Sequence, residues 1–399
     1  MKRIDSIDLA RGLVMIIMAL DHTRDLLHVN SMTQQPTDLA TTSPLLFFTR
    51  WITHFCAPTF VFLSGVSAYL SARHRYERGS AISWRERPNA RENRRYLLSR
   101  GIWLLFLEFT VVNFALWCDI HFRIVIFEVI ATIGCGFIIL SLLYKVKPKI
   151  LGIAGLVLIL GHDLLSSVML PAYPLLQFIG SFLMGPGAFQ LTPRLLLVIA
   201  YPVLPWLGIM LAGFGCGPLF ELPADLRRKL FRRIGMAALA LFILLRFANF
   251  YGDPSPWSVQ KNAVFTFLSF INVTKYPPSG LFTLVTLGGL FLLLAFAEGR
   301  NNKFTAMVSV YGKTPLFYFL IHLLVIHAAM FVMVFAQGFR PADLVFGPFK
   351  FGRPAAGSGL TLPCIYGVWL GVVVFMYPLC NWYGRYKASH RENKWLRYL

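Results

Sequence analysis

Ten long apolar runs divide the chain, at residues 8–28, 44–71, 98–117, 124–143, 150–169, 196–218, 234–250, 279–297, 305–335 and 361–380. A helix that crosses a bilayer needs about 20 mostly apolar residues, and these runs approach or exceed that length. The pattern predicts an all-α polytopic membrane protein of about ten transmembrane helices, with residues 1–399 forming one integral-membrane domain. Two further apolar stretches fit a full span less well. Residues 171–189 are rich in Pro and Gly and suit an eleventh, re-entrant or interfacial segment, and 262–273 suits a short interfacial helix.

Composition narrows the class. Hydrophobic residues make up 56% of the chain and charged residues only 14%, against about 25% charged in soluble domains. This excludes a soluble globular enzyme, a disordered chain and a conventional nucleic-acid binder. The remaining charge is lopsided, 38 Lys and Arg against 18 Asp and Glu, for a formal net charge of +20. Its placement along the chain explains it. With the first residues inside, segments 1–7, 72–100, 144–149, 219–233, 298–304 and 381–399 hold 26 of the 38 basic residues, and the opposite loops hold 8. That asymmetry predicts both termini on the cytoplasmic side. The largest basic group, from Arg73 to Arg100, separates the second and third runs.

The basic start at Lys2 and Arg3 is followed by Asp5, Asp8 and Arg11, with no small-residue cleavage site, so the first span is expected to stay attached. Cys56, Cys118, Cys135, Cys216, Cys364 and Cys380 are dispersed without disulfide-framework or zinc spacing, and no metal is expected. There is no P-loop, GxGxxG, HExxH or GxSxG motif. ATP-driven transport, zinc proteolysis and a hydrolase elbow lose support accordingly.

Charge at membrane depth costs a few kcal/mol per residue, so the few such side chains mark pairs or cavities. Arg11 and His22 are eleven residues apart on the first run, which returns them to within about 20° of one another, roughly 16 Å along the axis. Asp8 lies one turn before Arg11 and can neutralise it, and Gly12 allows a close neighbour. Near His22 stand Asp21, Arg24 and Asp25. The second run adds Arg50 and His54, one turn apart and entering from the outside, with Pro58 beyond them. Asp21, His22, Arg50 and His54 at one level suit a proton-transfer site or a buried network that joins two helices. Glu108, Glu128, Asp163 with His162, and Arg246 read as structural ion-pair members. His322 and His327 are five residues apart, about 140° round a helix, and read as core or interface histidines rather than one site. In the outer loops, Asp253 within residues 251–257 and Lys275 within 274–279 stand on proline-stiffened backbone. They suit a substrate rim, although turn chemistry explains them nearly as well.

Arg11-x10-His22 on a first span resembles the motif of integral membrane acyltransferases that O-acylate cell-surface sugars. More closely, residues 3–12, 50–65, 201–208, 251–257, 274–279 and 312–322 together resemble the bacterial relatives of heparan-α-glucosaminide N-acetyltransferase, over essentially the whole chain. The resemblance implies a membrane-embedded enzyme that uses acetyl-CoA, or another acyl-CoA, on the cytoplasmic side to acylate a sugar or glycan acceptor across the bilayer. It implies His22 as the motif histidine and Arg11 as the motif arginine. The heparan enzyme differs here: an asparagine matches His22, and its catalytic histidine lies further along the outer loop, where this chain offers His28. Its large luminal domain has no counterpart. Acyl transfer needs a base and a positive group for the oxyanion. His22 is expected as base, oriented by Asp21 or Asp25, with Arg50 or His54 stabilising charge. Arg11, neutralised by Asp8, is expected to anchor acyl-CoA, with His28, Asp253 and Lys275 at the acceptor rim. The expected setting is a bacterial cytoplasmic membrane, with acyl-CoA and lipid as partners, no nucleic acid, and a homodimer as in relatives of this kind. The rival class is a proton-coupled transporter or flippase, in which the same groups relay protons; no inverted repeat supports it.

Overall fold

The computed structural model describes residues 4–77, 90–165, 171, 173–355, 357–390, 392–393 and 396. Residues 78–89 of the basic segment that follows the second run lie outside the described residues. The chain is mainly helical: α1 (Asp5–Leu27), α2 (Pro44–Trp51), α3 (Cys56–Glu77), α4 (Ala90–Leu107), α5 (Asn113–Trp117), α6 (Val129–Leu143), α7 (Pro148–Leu165), α8 (Pro174–Leu183), α9 (Val203–Cys216), α10 (Ala224–Ala248), α11 (Ala263–Ile271), α12 (Gly280–Ala297), α13 (Lys303–Lys313), α14 (Pro315–Ala336) and α15 (Leu362–Ser389). Among the described residues, six helical segments are long and apolar enough to cross a membrane: 44–73, 91–117, 203–221, 280–297, 315–336 and 362–389. Charges interrupt α1 and α10, and α6 is only 15 residues long.

The expected all-α fold needs one correction. Strands β1 (Ile124–Phe127), β2 (Gly187–Thr192) and β3 (Leu195–Ile199) form a small sheet in the order β1-β3-β2. β1 runs parallel to β3, with Ile124 opposite Leu196, and β2 runs antiparallel to β3. The runs 124–143 and 196–218 therefore begin as strands. Short runs of Ile, Leu and Val cannot be told from helix by periodicity when a helical run follows directly. The segment 171–189 becomes α8 followed by the start of β2, and 262–273 becomes the short helix α11.

Three other runs are broken rather than continuous. A tight turn at Ile52–Phe55 joins α2 to α3, and a wide turn at Glu108–Val112 joins α4 to α5. Such departures from α geometry often accompany function. The run 305–335 breaks at Thr314, whose backbone leaves the helical region (φ −131°, ψ 48°) before Pro315. Proline disfavours helical geometry in the residue before it and cannot donate to the preceding turn. Helix starts are well specified: Ser43, Asn262, Ser279 and Asn302 each accept a backbone N–H at the start of α2, α11, α12 and α13.

Helix α1 is the axis of the bundle and packs against α3, α12, α13, α14 and α15. Its first half joins a core that includes Phe62, Trp206 and Phe282; its second half joins another that includes Tyr318 and Met330. At its start, Ser6 donates to the buried Glu298 carboxylate, which also pairs with Arg227. Its contact with α13 has almost no room. A Cβ on Gly12 would overlap the Val308 carbonyl, and one on Gly312 would overlap the Asp8 carbonyl. Glycine here permits backbone-to-backbone contact.

Gly12→Ala and Gly312→Ala should each lower stability by about 1–3 kcal/mol, the usual cost of overpacking. Gly371→Ala on α15, where a Cβ meets nothing within 4 Å, should be neutral or up to about 1 kcal/mol stabilising. Thermal unfolding in detergent checks both. Equal tolerance at all three positions would refute the close α1–α13 contact.

Candidate active site

The second half of α1 places Asp21, His22, Arg24 and Asp25 within two turns. Asp21 lies between two guanidinium groups. Arg24 Nη2 is 2.8 Å from its Oδ1, and Arg50 on α2 pairs with its Oδ2. Arg24 also pairs with Asp25 and is 2% exposed. Arg50 stands in the last turn of α2, just before the tight turn at Ile52–Phe55.

These groups border a cavity of 220 Å³ whose lining includes His22 beside Asp21, Asp25, Arg50, Glu128 and Lys275. Lys275 is buried, with Nζ 5.0 Å from the Tyr276 ring centre and 6.0 Å from that of Tyr201. Both tyrosines also line the cavity, so the ammonium keeps cation–π partners as it leaves water. Glu128 sits between β1 and α6, and its backbone N–H donates to Oε1 of the fully buried Glu108 at 2.9 Å.

His22 makes a direct ring-to-ring contact with a second histidine. Its Nδ1 lies 2.8 Å from Nε2 of His322 on α14, with the two rings 22° from coplanar. His322 in turn holds the Tyr318 carbonyl through Nδ1 at 2.8 Å.

Two further cavities meet the first. An apolar one of 100 Å³ shares Met18, Phe60, Val129 and Phe319 with it and extends past Met15 to Arg100. A polar one of 450 Å³ shares Asp25, Arg50, Phe349 and Phe351 and extends past Arg24 and His28 to Gln34 and Gln35. The cavity that His22 lines therefore shares walls with both an apolar passage and a polar vestibule.

The structure gathers some of the expected residues and separates others. Asp21, His22, Arg50 and Lys275 meet in the central cavity. His28 lines the polar vestibule, its Nδ1 accepting from Asn30 N–H at 3.3 Å. His54 lines none of the three cavities; it is buried with its ring 5.6 Å from Phe282. The tight turn at Ile52–Phe55 breaks the helical spacing that would have put it on the Arg50 face. Arg11 binds the Leu63 carbonyl at 3.2 Å and Ser67 Oγ, joining α1 to α3, and neither it nor the buried Asp8 lines these cavities. Asp253 is not a rim residue. Its side chain is 1% exposed and accepts from Thr274 N–H at 2.8 Å, Thr274 Oγ1 at 2.9 Å and Ser279 Oγ at 2.7 Å. It holds the loop that presents Lys275. Glu128, Tyr201, Tyr276 and His322 had no place in the site expected from sequence. Tyr201, Tyr276 and His322 carried a signal, since they lie in the segments 201–208, 274–279 and 312–322; Glu128 lies in none of these segments. Among the described residues, no group of three His, Cys, Asp or Glu is placed to hold a metal.

A family model described as heparan-alpha-glucosaminide N-acetyltransferase, catalytic, matches residues 3–255. No curated protein matches the chain. The family match and the apolar helices together indicate an integral membrane protein of transferase type.

Proposed function

The chain belongs to the heparan-α-glucosaminide N-acetyltransferase catalytic family, and on that premise we propose that it moves an acetyl or other acyl group from cytoplasmic acyl-CoA to a glycan or similar acceptor on the external face. The proposal includes ten spans and cytoplasmic termini, the orientation that the basic residues favour. One observation carries it: the cavity that His22 lines shares wall residues with two others of opposite character, one apolar and one polar. The apolar passage suits an acyl chain and the pantetheine arm of the donor. Met15 and His22 are seven residues apart on α1, about 10 Å of helical rise, so the passage brings a thioester from the inner half of the membrane to the histidine. Arg100 at its inner end is the basic side chain nearest to the donor's phosphates, while Arg11 serves the packing of α1 on α3. The polar vestibule, with Gln34 and Gln35 amides and the rings of Phe349 and Phe351, suits a sugar acceptor, which presents hydroxyls at its edges and an apolar face.

In this reading His22 takes the proton of the acceptor hydroxyl or amine as its oxygen or nitrogen bonds to the acyl carbon. Arg50 and Lys275 supply positive charge for the oxyanion. Asp21 holds Arg50 in place, and the ion pair keeps the arginine from collapsing onto the acceptor's own polar groups. A transporter would use the same charges but has no need of an apolar branch beside the histidine's cavity.

Purified protein should be stabilised against heat by acetyl-CoA, by about 2.7 kcal/mol at a hundredfold excess over Kd. With glucosamine as trial acceptor, His22→Ala should lower acetyl transfer at least about a hundredfold and leave the acetyl-CoA stabilisation intact. An active His22→Ala protein would sink the assignment of the base. Absence of any acetyl-CoA effect would favour transport.

A further inference from the structure

His322 is fully buried on α14, its ring centroid 5.0 Å from that of Tyr318 and 5.9 Å from that of Phe319. Its two ring nitrogens have different partners, and together they determine where the protons lie. Nδ1 faces the Tyr318 carbonyl oxygen at 2.8 Å. A carbonyl only accepts, so Nδ1 carries the hydrogen. In a neutral imidazole the other nitrogen is then a bare acceptor. That atom, Nε2, lies 2.8 Å from His22 Nδ1, so His22 Nδ1 is the donor. A doubly protonated His322 would reverse the second bond. It would also place a positive charge, fully buried, where no carboxylate contacts the ring among the described residues, and an unpaired buried charge is strongly disfavoured.

The consequence falls on the opposite side of the His22 ring. With Nδ1 protonated, Nε2 of His22 is left with its lone pair. His22 is half-buried and borders the central cavity, and among the described residues no group hydrogen-bonds its Nε2. We propose that His322 is a positioning residue that locks His22 in the Nδ1–H tautomer, so that Nε2 is the atom that meets the acceptor.

This rests on the acyltransferase reading for its chemistry. The acceptor's O–H or N–H proton passes to His22 Nε2 while its heteroatom bonds to the acyl carbon. The carbon–sulfur bond of the thioester breaks, and the Nε2 proton passes to the departing sulfur. His22 ends neutral, with Nδ1–H still held by His322. Throughout the cycle His322 accepts one hydrogen bond and gains no proton, because its own Nδ1–H remains on the Tyr318 carbonyl. It does for His22 what a triad's third member does for its histidine, which is to fix the tautomer and the ring plane and to stabilise the imidazolium that forms. Here that member is neutral, which avoids adding a further carboxylate to a site already holding Asp21, Asp25 and Glu128.

The test reads the tautomer directly. Full-length protein labelled with ¹⁵N at the histidine rings is reconstituted in lipid nanodiscs, and the His22 signals are assigned by their loss in His22→Gln. The wild type should show His22 Nδ1 as a protonated and Nε2 as a bare nitrogen. His322→Gln, whose amide oxygen can still accept from His22, should keep that pattern. His322→Leu should shift His22 toward the Nε2–H tautomer. In acetyl transfer, His322→Leu should lower kcat at least about tenfold with KM for acetyl-CoA unchanged, and His322→Gln should restore most of it. A wild-type His22 protonated at Nε2, or a tautomer unmoved in His322→Leu, overturns the proposal. If His322→Leu does not fold, the wild-type spectrum decides alone. The spectrum needs no turnover, so the expected tautomer in a protein that neither binds acetyl-CoA nor transfers acetyl would count against the acyltransferase reading and leave the histidine pair standing.

Discussion

The structure depends on the cost of charge in an apolar slab. Asp21, 8% exposed on the central helix, cannot be carried there alone, and its two oxygens are met by Arg24 and Arg50. Removing one partner of such a pair leaves a buried charge uncompensated, which costs about 3–5 kcal/mol. That penalty makes the pair an effective constraint on geometry. Arg50 must reach α1, so the end of α2 is drawn to α1 and the chain turns tightly at Ile52–Phe55 before α3 continues. The wall of the central cavity follows from that turn. His22, one residue from Asp21, is presented beside the pair and is free to use its own ring nitrogens elsewhere.

The same constraint shapes the loops around the cavity. Arg246, 2% exposed, donates to four backbone carbonyls: Ser255 at 2.9 Å, Ser269 at 3.0 Å, Phe270 at 2.8 Å and Asn272 at 2.8 Å. Asp253 collects the start of the following turn. Between them the segment from α10 to α12 is held so that Lys275 and Tyr276 point into the cavity. On the other side Arg353, 1% exposed, donates to the Leu26 carbonyl at 3.2 Å, the His28 carbonyl at 3.0 Å and Ser31 Oγ at 2.9 Å. This ties the loop bearing Phe349 and Phe351 to the end of α1. Buried arginines thus do for irregular backbone what hydrogen-bond ladders do for helices: they satisfy carbonyls that have no other donor. The vestibule can then be built from loops and still be rigid.

What could be read from the sequence follows the reach of local rules. Periodicity located the helical runs, and spacing along α1 placed Arg11, Asp21 and His22 correctly relative to one another, because a helix converts residue number into direction. The method failed wherever the helix failed. His54 was expected beside Arg50 on α-helical spacing, and the tight turn at Ile52–Phe55 sends it toward Phe282. The strands β1 and β3 were absorbed into apolar runs, and with them went the position of Glu128 at the cavity edge. Asp253 was visible as a charge on stiff backbone, but nothing local tells whether such a side chain points to solvent or folds back on its own loop. His322 is the clearest case. Its partner is 300 positions away in the chain, and only tertiary contact makes a core histidine into half of a pair.

That tertiary contact has its own cause in α1. Helices α13 and α14 run along α1 in the same direction: Gly312 lies against Asp8 and Gly12, and His322 meets His22. From Gly12 to His22 and from Gly312 to His322 are both ten residues, about 15 Å of rise on each helix. The equal spacing matters because the two contacts then share one register. The glycine contact admits almost no longitudinal play, since any Cβ brought into it would strike a carbonyl. A slip of one residue would displace His322 by about 1.5 Å along the axis, enough to break a hydrogen bond of 2.8 Å. The break at Thr314 redirects the chain between the two contacts and lets α14 follow α1. A small-residue contact near the start of α1 is in this way the ruler that sets the His22–His322 pair near its end.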